Sequence, residues 1–219
     1  MSGAAARWPA PKPAEIAFAW GCFAQFDRER AMFIAHLPAG YLMARRLAPR
    51  LAPGASPSRR LLAVCLAAAV LPDIDLLYFY LVDGRRTLHH DYWTHIPAFW
   101  LLATGTAIAL FRIARAPVPW PAVAGLLAGV FLHLALDTVT GGIAWLYPYD
   151  TGRIVLIDVP ARFGWWVWNF VLHWSFALEI AILVWAASEA GLPRRMRELR
   201  RRSAAAMLRR RALRQERAE

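Results

Sequence analysis

The chain is 219 residues long and 58% hydrophobic, with a mean hydropathy of +0.34, eleven Trp and a formal charge of +11. That apolar content is more than a soluble core of this size hides, which excludes an ordinary soluble domain and points to a membrane protein. The positive charge is local, because residues 193–219 hold eleven Arg against Glu198, Glu216 and Glu219.

The opening stretch MSGAAARWPAPKPAE lacks a basic region followed by an apolar one, and the apolar run 17–24 is short. No cleaved leader is expected, and 1–30 is set apart as an N-terminal segment. Apolar segments follow at 31–47, 61–82, 95–112, 118–139 and 168–190, each to be weighed against the roughly 20 residues that a spanning helix needs. The first is marginal because of Arg45 and Arg46. The expected fold is all-α, a polytopic membrane helix bundle of about five helices occupying 31–190. The tail, 191–219, spaces Met196, Leu199, Met207 and Leu213 among its Arg residues like a basic amphipathic helix lying on anionic lipid headgroups. A nucleic-acid-binding tail would carry similar charge, but no recognition motif is visible, so nucleic acid is not expected as a partner. Cys22 and Cys65 are isolated, which argues against a disulfide framework and a thiolate zinc site.

Arg45, Arg46, Arg50, Arg59 and Arg60 follow the first segment, Arg112 and Arg115 the third, and the Arg-rich tail the fifth. The positive-inside rule makes these ends, including the C-terminus, cytoplasmic. The loops 83–94 and 140–167 then lie outside, with Trp93, Trp145, Trp165, Trp166 and Trp168 as an aromatic belt. All six histidines fall on that outer side. Convergence from several segments at one depth suggests a single shared pocket.

His133 and Asp137 are four residues apart on one helix, so both project from the same face. In LPDIDLLY, Asp73 and Asp75 would diverge on a regular helix, but Pro72 permits a break that lets them converge. In HHDYWTHIPAF, Thr94 is a candidate N-cap with His95 at the first helical position and Pro97 in the first turn, leaving His90 to reach back from the loop. His36 precedes Pro38, which allows a kink, and Gly40, which allows close approach. His36, Asp73, Asp75, His90, His95, His133 and Asp137 together are a ligand set for one or two divalent ions. Zinc fits best and manganese is compatible. Such ions acidify water and stabilise charge on a phosphoryl or acyl oxygen, so the implied chemistry is metal-assisted hydrolysis, with Asp75 as ligand or catalytic base.

The ordered set AHLPAG, LPDID, HDYWTH, HLALD and GGIAWLYPYD resembles the YdjM-like inner-membrane proteins. The resemblance implies a bacterial inner-membrane protein whose His and Asp motifs bind metal, with hydrolase activity. The HxxxD helix is more loosely similar to the ligand pattern of zinc-dependent phospholipase C and nuclease P1 enzymes, which favours a phosphoester. One departure stands out: His90-Asp91-Tyr92 occupies the place where the family motif reads His-Arg-Gly, and Arg85 or Arg86 is the candidate substitute.

The expected function is therefore hydrolysis of an ester or phosphoester in a lipid-like substrate at the outer membrane face. A metal-stabilised scaffold without turnover and a proton- or ion-coupled transporter are the alternatives. Several residues also have plainer readings. Asp73 and Asp75 could form a clamp with Arg85 or Arg86, and His89 and Asp91 are expected as exposed loop residues or as orienters of ligands. His173 reads as a satisfied interior histidine, Glu179 as a partner within the bundle, and Asp150 and Asp158 as solvated loop residues.

Overall fold

The computed structural model describes residues 34–192 apart from Arg85, together with Arg195, Met196, Glu198 and Arg202. The N-terminal segment, and most of the expected basic helix of the tail, lie outside the described residues. Those residues form an all-helical fold: α1 His36–Leu51, α2 Arg59–Ala68, α3 Asp75–Leu81, α4 Pro97–Ile113, α5 Trp120–Thr140, α6 Trp166–Val171 and α7 Phe176–Glu189. Helix α5 is long and apolar enough to cross a bilayer, and α2 with the segment Pro72–Leu81 qualifies as a pair bent by 57°. The described residues thus supply one such helix, or two with the bent pair as one span, against the five spans expected.

The bend has a local cause. Pro72 has no N–H to donate, and its ring crowds the carbonyl four residues back, so the helix stops and restarts through the 3-10 turn Pro72–Ile74. At its other end α2 is capped by Ser58, whose hydroxyl accepts the Leu61 N–H at 3.1 Å. The segment expected as one helix over 168–190 is also broken. Around the break the His173 Nδ1 and Ser175 Oγ lie 2.9 Å apart, and the Ser175 N–H donates to the same ring nitrogen. Such local bonds compete with the helical ladder.

Two further expectations fail at helix starts. Helix α4 begins at Pro97 rather than His95, and its N-cap is Ile96 with no side-chain bond. Thr94 instead sits in the 3-10 turn Trp93–His95, its hydroxyl donating to Asp75. Helix α1 takes Pro38 into its first turn, where no i to i−4 bond exists to interrupt, so Pro38 produces no kink.

Small residues let α1, α2 and α5 meet closely. A Cβ on Gly40 would lie 2.7 Å from the Ala69 Cβ and 2.9 Å from the Cys65 oxygen, and one on Gly129 would lie 2.6 Å from the Ala68 Cβ and 3.0 Å from that same oxygen. Glycines on α1 and α5 thus admit α2 between them, the small-residue contact that membrane helices favour. Helix α7 packs on α1 and is tied to it by Arg45 and Arg46 reaching Glu189 at 3.0 and 3.2 Å.

After α5 the chain folds back under the C-terminal end of that helix. Leu156 and Ile157 donate their N–H groups to the Thr138 and Val139 carbonyls, and Ile143 bridges Ile154. These bonds serve carbonyls that a helix end otherwise leaves without partners. Leu101, Leu102 and Ile113 on α4 and Val184 and Trp185 on α7 are exposed, while imidazoles and carboxylates are buried inside. An apolar exterior around a polar centre suits a lipid environment.

Candidate metal centre

The site forms where five pieces of chain meet at one end of the bundle. His36 opens α1, and Asp73 lies in the turn that breaks the α2–α3 pair. His90 comes from the 3-10 turn His89–Asp91, His95 closes the turn Trp93–His95, and His133 and Asp137 sit near the end of α5. His36, His90, His95, His133 and Asp137 are all buried, whereas the Asp73 side chain is 32% exposed and marks the approach from outside.

Asp137 is the hub. Its Oδ1 lies 3.3 Å from His36 Nε2, and its Oδ2 lies 2.9 Å from His133 Nε2, 3.6 Å from His95 Nε2 and 3.7 Å from His90 Nε2. Asp73 Oδ1 is 3.6 Å from His133 Nε2 and 3.7 Å from His95 Nε2. Yet both Asp137 oxygens, His36 Nε2 and His90 Nε2 are buried without a well-aligned hydrogen bond. Buried polar atoms rarely go unsatisfied, and here they face a shared space more than they face each other.

The rear of the rings explains their orientation. His133 Nδ1 lies 2.9 Å from the Ala69 carbonyl, which only accepts, so this nitrogen carries the proton. The Pro72 break supplies this contact, since the α2 ladder stops where Ala69 stands. His95 Nδ1 lies 2.9 Å from Asp75 Oδ2, and Thr94 donates to the same oxygen. Both rings therefore direct an Nε2 lone pair inward, and those two atoms are 3.4 Å apart. Lone pairs at that distance repel unless a cation lies between them. Imidazoles backed by a carbonyl or carboxylate, with converging Nε2 atoms, are the arrangement that divalent metal sites use.

Three sets of three donors lie close enough to hold an ion: His36, His133 and Asp137; Asp73, His95 and His133; and His89, His90 and His95. The donor chemistry fits one or two divalent ions, all imidazole and carboxylate, with no thiolate. Of the seven expected ligands, six belong to these sets. Asp75 stands behind them, its oxygens turned to His89 Nδ1 at 2.9 Å, His95 Nδ1 and Thr94.

His89 is the residue that sequence reasoning underrates. It is 4% exposed and lies between two carboxylates, 3.1 Å from Asp73 and 2.9 Å from Asp75. The paired histidines were the available signal: a 3-10 turn sets neighbours about 120° apart, so both can turn inward. Burial disfavours charge on the His89 ring, but the Asp73 and Asp75 carboxylates outweigh it and hold its pKa at about 10. Burial dominates at His90 and pushes it down to about 3, which leaves a neutral donor.

The plainer readings sort as follows. Asp73 and Asp75 face histidines, and Arg86 gives its backbone N–H to Asp83. His173 bonds to Ser175 away from the centre, Glu179 accepts the Ile34 N–H, and Asp150 accepts the Gly152 N–H. Asp91 pairs with Arg153, which ties the 140–167 loop to the turn that carries His89 and His90. A cavity of about 440 Å³ lined by Asp75, Tyr78, Asp83, Tyr92, Trp93 and Thr94 opens beside Asp75.

Residues 32–207 match the family model for the YdjM inner membrane protein, a span that includes every donor described above. No curated protein and no solved structure matches the chain.

Proposed function

The chain belongs to the YdjM inner membrane protein family, and from that premise we propose that it is a multi-pass, metal-dependent hydrolase of an ester or phosphoester in a lipid-like substrate. The observation that carries this reading is the set of buried His and Asp atoms that converge without aligned hydrogen bonds. His36, His133 and Asp137 would hold one ion, and Asp73 with His95, or His89 and His90 with His95, a second. Zinc suits this set, with manganese as the alternative. Bound there, such an ion acidifies water and draws charge from a phosphoryl or acyl oxygen.

The chain's own groups have separate tasks. Asp73 faces outward and meets whatever approaches, while Ala69 and Asp75 lock the His133 and His95 tautomers. Asp75 acts as a positioning residue in this reading, in place of the ligand or catalytic base expected from sequence. In this reading the positive-inside rule, applied to the Arg clusters, supports a cytoplasmic C-terminus and a centre at the outer face, level with the headgroups of membrane-borne substrates.

Metal content of the detergent-purified protein tests the reading, with the wild type beside a His133→Ala/Asp137→Ala double variant. One or two equivalents present in the wild type and lost from a folded variant are expected, together with turnover of phospholipid vesicles by the wild type. Absence of metal after reconstitution with zinc or manganese overturns it. Metal without turnover supports a second reading, a metal-stabilised scaffold, which the deep burial of most donors also favours.

A further inference from the structure

A second cavity of about 450 Å³ lies between α2, α4 and α5. Its walls include Val64 from α2 and Leu71 just beyond it, Trp100 and Phe111 from α4, and Pro119 at the N-cap of α5 with Leu126 inside that helix, with Ala103 and Ala107 keeping it open. One end adjoins the metal centre through the chain itself. Leu71 precedes Pro72 and Asp73, and the Trp100 Nε1–H donates to the Thr94 carbonyl at 2.7 Å while the Thr94 hydroxyl donates to Asp75.

The other end is reached along α4. From Trp100 to Phe111 the helix rises about 16 Å at 1.5 Å per residue, and half of a bilayer core about 30 Å thick is close to that figure. The groove is thus about one leaflet deep, and its Leu71–Trp100 end lies next along the chain to Asp73 and to the turn that carries His95. Apart from Thr104 its lining is apolar and aromatic side chains, which call for an apolar occupant.

Thr104 adds an independent sign of a ligand. It lines the cavity, is 5% exposed, and its hydroxyl has no hydrogen-bond partner. An oxygen of a bound acyl ester would satisfy it.

We propose that this groove holds an acyl chain of the lipid substrate, with the chain descending along α4 while the bond to be cleaved lies at the His/Asp centre. The proposal rests on the hydrolase reading for its substrate, but the groove can be tested separately.

The protein would be reconstituted into vesicles of phosphatidylethanolamine and phosphatidylglycerol doped with diazirine-acyl phosphatidylglycerol, irradiated, and mapped by peptide mass spectrometry. A diazirine near the ester should label the level of Trp100–Thr104, and one at the chain end the level of Phe111 and Pro119. Ala107→Trp should cut the deep labelling about tenfold, a change of roughly one decade in occupancy, with metal content unchanged. Labelling spread evenly over the exposed faces of α4 and α7, or indifferent to diazirine position, overturns the proposal even if Ala107→Trp does not fold. Groove labelling without lipid turnover keeps the groove and removes the hydrolase reading, whereas turnover without groove labelling does the reverse.

Discussion

Asp75 presents Oδ2 to His95 Nδ1 at 2.9 Å and takes the Thr94 hydroxyl on the same oxygen, so it orients a donor from behind. Loss of such a partner lowers metal affinity by about 10- to 100-fold. Asp75→Asn keeps an oxygen that accepts both bonds and should fall near the low end, with Asp75→Ala near the high end. Competition against a chelator measures this. A base role predicts a different result, with turnover abolished in Asp75→Asn at unchanged metal affinity.

Asp137 is 1% exposed, and neither oxygen has an aligned hydrogen bond. A buried carboxylate whose partners sit out of line is costly, by several kcal/mol in unfavourable cases. Asp137→Asn relieves that cost and removes the central ligand. The variant should lose its metal yet unfold, metal-free, at a temperature equal to or above that of the metal-free wild type. Thermal unfolding beside elemental analysis checks both; full metal content in the variant would sink the assignment.

Gly129 lies one turn before His133 on α5, against Ala68 and the Cys65 carbonyl. Gly129→Ala places a methyl 2.6 Å from the Ala68 Cβ, so α2 and α5 must separate, and the bond from His133 to Ala69 stretches with them. Overpacking of this kind costs about 1–3 kcal/mol, and metal affinity should fall too. Gly105 on α4 has nothing within 4 Å of the equivalent position. Gly105→Ala should leave metal affinity alone and stabilise the protein by about 0.4–1 kcal/mol.

Much of this centre is legible in the sequence, because spacing along a helix or at a proline is local information. His133 and Asp137 share a face of α5 by their spacing, Pro72 permits the break that frees Asp73 from the helix, although Asp75 ends behind the donors rather than beside Asp73, and Gly40 allows close packing. What escaped depended on partners distant in sequence. Thr94 looks like an N-cap until Asp75 takes its hydroxyl, and His89 looks like loop until two carboxylates surround it. The break in 168–190 rests on His173 and Ser175 bonding locally inside a stretch whose hydropathy reads as continuous helix. Hydropathy and periodicity report burial and spacing, but not which side chain captures which carboxylate.

The neighbours His89 and His90 titrate in opposite directions, which should give the metal-free protein a stability maximum near pH 6.5. His89 has a pKa raised from 6.5 to about 10 by Asp73 and Asp75 against the opposing effect of burial. Its contribution is complete below pH 6.5, where the unfolded chain is also protonated, and is lost as pH rises towards 10. His90 has a pKa lowered from 6.5 to about 3, chiefly by burial. It must stay neutral in the fold, so its contribution is complete above pH 6.5 and is lost as pH falls towards 3. Chelator-treated protein unfolded by heat across this range should show both limbs. His89→Gln should flatten the alkaline limb and His90→Gln the acid one, and limbs unchanged in both variants would contradict this account.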